Sequence, residues 1–324
     1  MTIGSGARQE FCWISAAESH GAQLAFILGV GALLYWLCRF HPSSMPVWAP
    51  WDFSWPEYLA FSLTILWFFR GLAGTPLQQR PSIGRRIAFF SGLALLYAAM
   101  QTHFDYMAQH MFFLNRIQHV VMHHIGPFLV ALGFAEETIR RGMPRQVRRM
   151  AESRPVASTI RVLQQPALAV FLFVGLFYFW LIPAVHFRAM IDPRLYALMN
   201  ASMVLDGLLF WSLTLDPRPR PPARVSFAAR FVLAVVVMFP QIALGAVITF
   251  SQQDLYPYYD LCGRLFPSLD ALADQQIGGI VIWIPPAMMS VIAALLVVNA
   301  FKIHEESAEA NHHGLSPEPM SSSR

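Results

Sequence analysis

Eight stretches of predominantly apolar residues recur almost evenly along this chain, at about 21–39, 57–74, 87–103, 111–134, 167–185, 195–215, 228–250 and 277–301. A helix needs about 20 such residues to cross the hydrocarbon of a bilayer. The chain therefore reads as an all-α, polytopic transmembrane helical bundle of about eight spans. Composition removes the soluble alternative: charged residues make up 13% of the 324 and hydrophobic ones 56%, against roughly 25% charged in a soluble domain. Because the stretches are evenly spread, one membrane domain over 21–303 accounts for them. It leaves an N-terminal segment over 1–20 and a tail over 304–324, whose Glu, Ser, Pro and His composition predicts disorder. The tail histidines, His312 and His313, read as solvated.

The loops alternate in charge. Arg80, Arg85 and Arg86 follow the second span, seven arginines from Arg140 to Arg161 follow the fourth, and Arg218, Arg220 and Arg224 follow the sixth. The opposite loops are poor in basic residues: 104–110 has none, and 251–276 carries Asp254, Asp260, Asp270 and Asp274 against Arg264 alone. The positive-inside rule places the first set, and both termini, in the cytoplasm. The excess of 23 Lys+Arg over 19 Asp+Glu does not point to nucleic acid, since the basic residues fall between apolar runs and form no amphipathic face. Cys12, Cys38 and Cys262 are too scattered for a disulfide framework or a metal motif. Cys38 and Cys262 both fall near the outer side, so a disulfide between them stands beside the blander reading of inert thiols.

The fourth span carries residues that do not belong in lipid: Asn115, Arg116, Gln118, His119, Met122, His123 and His124, ending at Gly126-Pro127. At 100° per residue, Asn115, Arg116, His119, Met122 and His123 share one face about 120° wide. With about 1.5 Å rise per residue, His119 and His123 sit near the bilayer centre. An ionisable group there costs at least about 2.5 kcal/mol unless paired or hydrated, and marks function by default. Asp206 in the sixth span falls at the same depth. It is expected either to pair with Arg116 or to orient a ligating histidine. At the outer rim His103, Asp105, Met107, His110 and Met111 cluster around a turn, and His186 follows the fifth span. Imidazole with thioether suits copper, Cu(I) above all. His119, His123, His103, His110, His186 and Met122 are thus the candidate ligands, weighed against hydrogen-bonded packing histidines and packing methionines.

Further segments carry a resemblance: Gln118-His119 in a span ending Gly126-Pro127, Gly207 to Trp211, Pro240-Gln241 with Leu244-Gly245, Leu255-Tyr256-Pro257, and above all Asp274-Gln275-Gln276, Gly278-Gly279, Trp283 and Pro285. From about Trp67 to Phe301 the chain resembles the multi-span CtaG-like family of cytochrome c oxidase assembly proteins, the branch named for caa-type oxidases. The resemblance implies a multi-pass protein of the bacterial cytoplasmic (inner) membrane. It would be no enzyme, but an assembly factor that handles copper for the oxidase metal centres, with oxidase subunits or other assembly factors and membrane lipids as partners. It carries over His119 as a ligand candidate, and Asp274, Gln275, Gln276 and Trp283 as motif residues. It departs at three positions where the family pattern has histidine: Asn115, Leu181 and Asn200.

Three other functions compete. A di-iron desaturase would use His119, His123 and His124 as one of about three histidine boxes, but the remaining histidines fall on the wrong side. A haem protein needs a second axial ligand facing His119, for which only Met199 or Met203 presents itself. A transporter is suggested by Arg70, Arg116 and Asp206, without the internal repeat many transporters show.

Overall fold

A computed structural model describes the backbone of residues 6–314 and the side chains of 21–310; Cys12, His312 and His313 lie outside the described side chains. Among the described residues the chain is helical throughout, with no strand. Five helical segments are long and apolar enough to cross a membrane: Gly21–Phe40 within α1 (Gly6–Phe40), α3 (Ile83–Gln101), α12 (Pro193–Thr214), α13 (Phe227–Val236) continuing into α14 (Met238–Phe250), and Ala271–Ala310 within α16 (Ala271–Gly314). Two bent pairs raise the number to seven. The first joins Phe112–Gly133 to α7 (Glu136–Gly142) at 72°; the second joins α9 (Arg154–Leu163) to α10 (Pro166–Leu181) at 73°. Helix α2 (Trp55–Ala73), which carries Glu57 and Arg70, is the second of the eight stretches and is not among them. Among the described residues, length and composition thus give five to seven candidate spans, beside the eight that apolar stretches alone suggest.

The fourth apolar stretch is three pieces: α5 (Phe112–Val120), a π-helical turn over Val121–Ile125, and α6 (Gly126–Gly133). It forms the axis of the bundle, with α3 along α6, α16 along α5, and α12 against the π turn and α6. Helix α14 packs along α16, where the Trp283 ring lies on Gly245. By contrast α1 stands at the edge, tied to α2 by the Tyr58 hydroxyl donating to the Ile27 carbonyl at 2.8 Å.

Loops that the charge pattern assigns to one side do meet at one end. The guanidinium groups of Arg85 and Arg218 lie 5.5 and 4.9 Å from the centroid of the Phe134 ring. At the other end Trp51 packs on His103, Phe113 on Phe266, and Tyr196 bonds Asp105. The two described cysteines follow the blander of their two readings. Cys38 and Cys262 are free thiols, and the Cys38 thiol donates to the Pro50 carbonyl at 3.1 Å. Helix α16 also runs on through Gly314, past the point where composition predicts disorder; residues 315–324 lie outside the described residues.

Candidate functional site

The histidine-bearing span is held at both ends. At its start Asp274, fully buried at the head of α16, accepts the Phe112 and Phe113 backbone N–H groups at 2.9 and 2.8 Å. These are among the donors a helix start leaves unpaired, so a carboxylate from another helix caps α5 and complements its dipole. Arg264 neutralises that carboxylate at 2.6 Å. One residue on, Gln275 accepts from Leu255 N–H at 2.7 Å and donates to the Gln253 carbonyl at 3.1 Å, closing the loop after α14. Gln276 is half-buried. Gly278 lets α16 approach α5 so closely that a Cβ there would collide with Phe112. The Asp274 to Trp283 motif is therefore a clamp.

At the other end Pro127 has no N–H, so the His123 carbonyl four residues earlier loses its helical donor. The Trp211 indole N–H replaces it at 3.2 Å. Gly207, one turn before Trp211, lets α12 come this near, because any Cβ would meet the His123 carbonyl oxygen. The ladder re-forms in π register, with Gly126 N–H donating to Val121. Such bulges inside α-helices are frequent at functional sites.

Between these clamps the buried polar residues divide. His123 is satisfied: its Nε2 lies 3.0 Å from Asp206 Oδ2, its Nδ1 3.3 Å from His124 Nε2, and its ring stacks on Phe173 at 4.1 Å. Asp206 thus pairs with His123, and not with Arg116 as one of the two sequence expectations had it. Arg116 instead donates to Asn115 and lies 5.1 Å over Phe112, with Nε and Nη1 unpartnered. Asn115 in turn donates to the Met190 sulfur at 3.9 Å. His119 is fully buried and neither ring nitrogen has a hydrogen-bond partner. The Asn200 side chain, its own Oδ1 unpaired, interacts with the His119 ring without reaching hydrogen-bond geometry.

His186 is not at the outer rim. Ile182, preceding Pro183, takes an extended conformation (φ −59°, ψ 120°) that ends α10 and starts α11 (Pro183–Ile191). The break turns His186 into the core, fully buried, with Nε2 2.9 Å from the Tyr259 hydroxyl and Nδ1 unpartnered. Arg116, His186 and His123 each lie within electrostatic range of His119, and Arg116 also of His186. The rim histidines are engaged elsewhere: His103 packs edge-on against Trp51 at 4.4 Å, and His110 Nδ1 lies 2.8 Å from the Tyr106 carbonyl. Met122 packs among Leu96 and Ala99.

Sequence reasoning undervalued Asp105, Tyr196 and Gln118. Asp105 in α4 (His103–Ala108) accepts from Gln118 at 2.6 Å, from the Tyr196 hydroxyl at 2.7 Å and from Gln109 at 3.0 Å. Burial pushes the Asp105 carboxyl upward, and those three donors hold it down. Among the described residues, no three His, Cys, Asp or Glu side chains converge in a way that could hold a metal ion. The interior offers three buried imidazoles with unpartnered nitrogens, both of His119 and Nδ1 of His124 and of His186, and a guanidinium in electrostatic range of His119 and His186.

A family model described as cytochrome c oxidase caa3 assembly factor (Caa3_CtaG) matches residues 66–301. No curated protein and no solved structure matches the chain.

Proposed function

As the chain belongs to the cytochrome c oxidase caa3 assembly factor family, we propose that it serves assembly by taking copper into the bundle at His119 and His186 and releasing it to an oxidase subunit. The observation that carries this reading is the pair of buried imidazoles with unpartnered nitrogens, both on His119 and Nδ1 on His186. A buried polar group without a partner costs about 1–3 kcal/mol, and two in one small region are most simply kept for a ligand. Cu(I) accepts few, soft donors, and imidazole and thioether suit it. Met190, one turn past His186 and buried, supplies a thioether on the same helix. Asn200 lies by the pair without being a good copper ligand. Arg116 places a positive charge in range of both imidazoles, which opposes a bound cation and suits transit better than storage.

In this reading the protein is no enzyme. It sits in the bacterial cytoplasmic membrane with the arginine-rich loops inside, so reporters fused near 80, 145 and 220 report cytoplasm and those near 107 and 262 the opposite side. The decisive test is metal content. Protein reconstituted with Cu(I) under reducing conditions carries about one copper per chain, a double H119A, H186A variant loses it, and a double H103A, H110A variant keeps it. Retention by the first variant, or loss by the second, overturns the assignment. The same inward turn of His186 also supplies the second imidazole that a haem reading requires; a Soret band in copper-free protein would favour haem.

A further inference from the structure

The arginine-rich end of the bundle holds two clefts that share a wall. One, of about 540 Å³, runs along α16 past Leu296, Val297, Ala300 and Ile303 to Arg85, Phe134 and Arg218. The other, of about 440 Å³, is lined by Thr75, Arg80, Ser82, Arg85, Phe134 and Arg141 among others. Phe134 lines both, held at φ 46°, in the left-handed region where a bulky residue is an outlier. Arg85 and Phe134 belong to both clefts.

The arginines of this end are not equivalent. Arg140 and Arg141 are paired with Glu137, Arg218 with Asp216, and Arg140 also with Glu152. Arg85 is exposed and has no carboxylate partner among the described residues; its guanidinium rests on the Phe134 ring. Among the described residues Arg80 spends only Nε, on the Thr75 carbonyl at 2.9 Å. With Glu137 the one carboxylate against Arg80, Arg85 and Arg141, the smaller cleft keeps a net positive charge. It opens at the start of α3, where the helix dipole also favours an anion. The larger cleft beside it is walled by side chains of α16 that belong to the membrane-crossing part of that helix.

We propose that these clefts form a binding site for the phosphate group of an anionic phospholipid. The phosphate sits between Arg80 and Arg85, and an acyl chain lies along Leu296, Val297, Ala300 and Ile303. A net-positive polar cleft continuous with an apolar wall fits a molecule with an anion at one end and a hydrocarbon at the other. A basic pocket between helices on the cytoplasmic side is where anionic headgroups are met. The site is separate from the buried histidines, so it stands or falls independently of copper.

The test is thermal unfolding of the detergent-purified full chain titrated with short-chain phosphatidylglycerol, with phosphatidylcholine of the same chain length, and with inorganic phosphate. Phosphatidylglycerol raises Tm in a concentration-dependent manner, phosphatidylcholine does not, and salt weakens the shift. R80Q and R85Q, singly and together, diminish and then abolish the shift, whereas the double variant R149Q, R154Q, at exposed arginines outside both clefts, keeps it. An equal shift with inorganic phosphate would show a soluble anion to be the ligand and overturn the lipid assignment. Equal shifts with the two lipids, or an undiminished shift in folded R80Q, R85Q protein, would overturn the site. Should that variant not fold, native mass spectrometry of the wild type decides: retention of phosphatidylglycerol over phosphatidylcholine supports the site, and equal retention sinks it.

Discussion

His119 and His123 stand four residues apart on one span and are buried to the same extent, yet their surroundings are opposite. His123 itself is answered on every side: Asp206 and His124 take the ring nitrogens, Trp211 the carbonyl, and Phe173 the ring face, which leaves Nδ1 of His124 as the unpartnered atom of this level. Around His119 almost nothing is answered. The difference lies in the backbone. A rotation of 100° per residue holds as far as Val120, and from Val121 the chain winds in π register, so the expectation that both histidines share a face with Met122 stops applying between them. The level at His123 is a joint that holds the broken helix to α12. The level at His119 is kept polar at a cost to stability, and such a residue is where a function is sought.

The largest effect comes from breaking what both levels depend on. Asp274→Ala removes the cap of α5 and leaves Arg264 facing the buried start of the helix. The Phe112 and Phe113 N–H groups lose their acceptor, at about 1–3 kcal/mol each, while Arg264 keeps Asp260 as a partner, so the variant is expected to fall sharply in membrane abundance and to lose both histidine levels together. If Asp274→Ala accumulates normally and melts with the wild type, the clamp is not what positions the span.

A smaller effect distinguishes the joint from an electrostatic pair with Arg116. Asp206→Ala strands His123 Nε2 and is expected to cost about 1–3 kcal/mol. His123→Phe in the same chain returns much of that loss, because the ring already stacks among Phe173 and Phe177 and the unpartnered nitrogen disappears. Changing Arg116 together with Asp206 returns none of it. Rescue by the Arg116 change, measured as protein level or Tm, would restore the pairing that depth along the helices suggests and remove the joint.

Much of this was legible in the sequence, and the exceptions have physical causes. Apolar run length fixes that helices cross the membrane, and loop arginines sort the loops into the two ends where they meet, because both signals depend on composition averaged over many residues. Asp206 was legible as a residue in need of a partner at mid-depth, but depth alone does not choose between Arg116 and His123. The inward turn of His186 depends on a single residue, Ile182, driven out of helix by Pro183. The π turn had a signal too: Pro127 frees the carbonyl of His123, and a free carbonyl in lipid must be answered. The roles of Asp274 and Gln275 were invisible, since both bond to backbone groups distant in sequence.

The smallest effect on stability is expected at His119. His119→Leu replaces a buried imidazole by an apolar side chain of similar size, and the ring it removes makes no hydrogen bond. No donor or acceptor is stranded by the change, and a near-isosteric apolar swap costs less than about 1.5 kcal/mol, with relief of two unpaired nitrogens acting in the stabilising direction. Abundance and Tm should therefore stay close to wild type, while copper content after reconstitution and oxidase assembly in cells both fall. His123→Leu should do the reverse to a greater degree, lowering Tm by stranding Asp206 and the His124 ring. If His119→Leu instead melts far below wild type, His119 holds the fold through contacts other than hydrogen bonds, and the contrast between the two levels, with the copper reading built on it, fails.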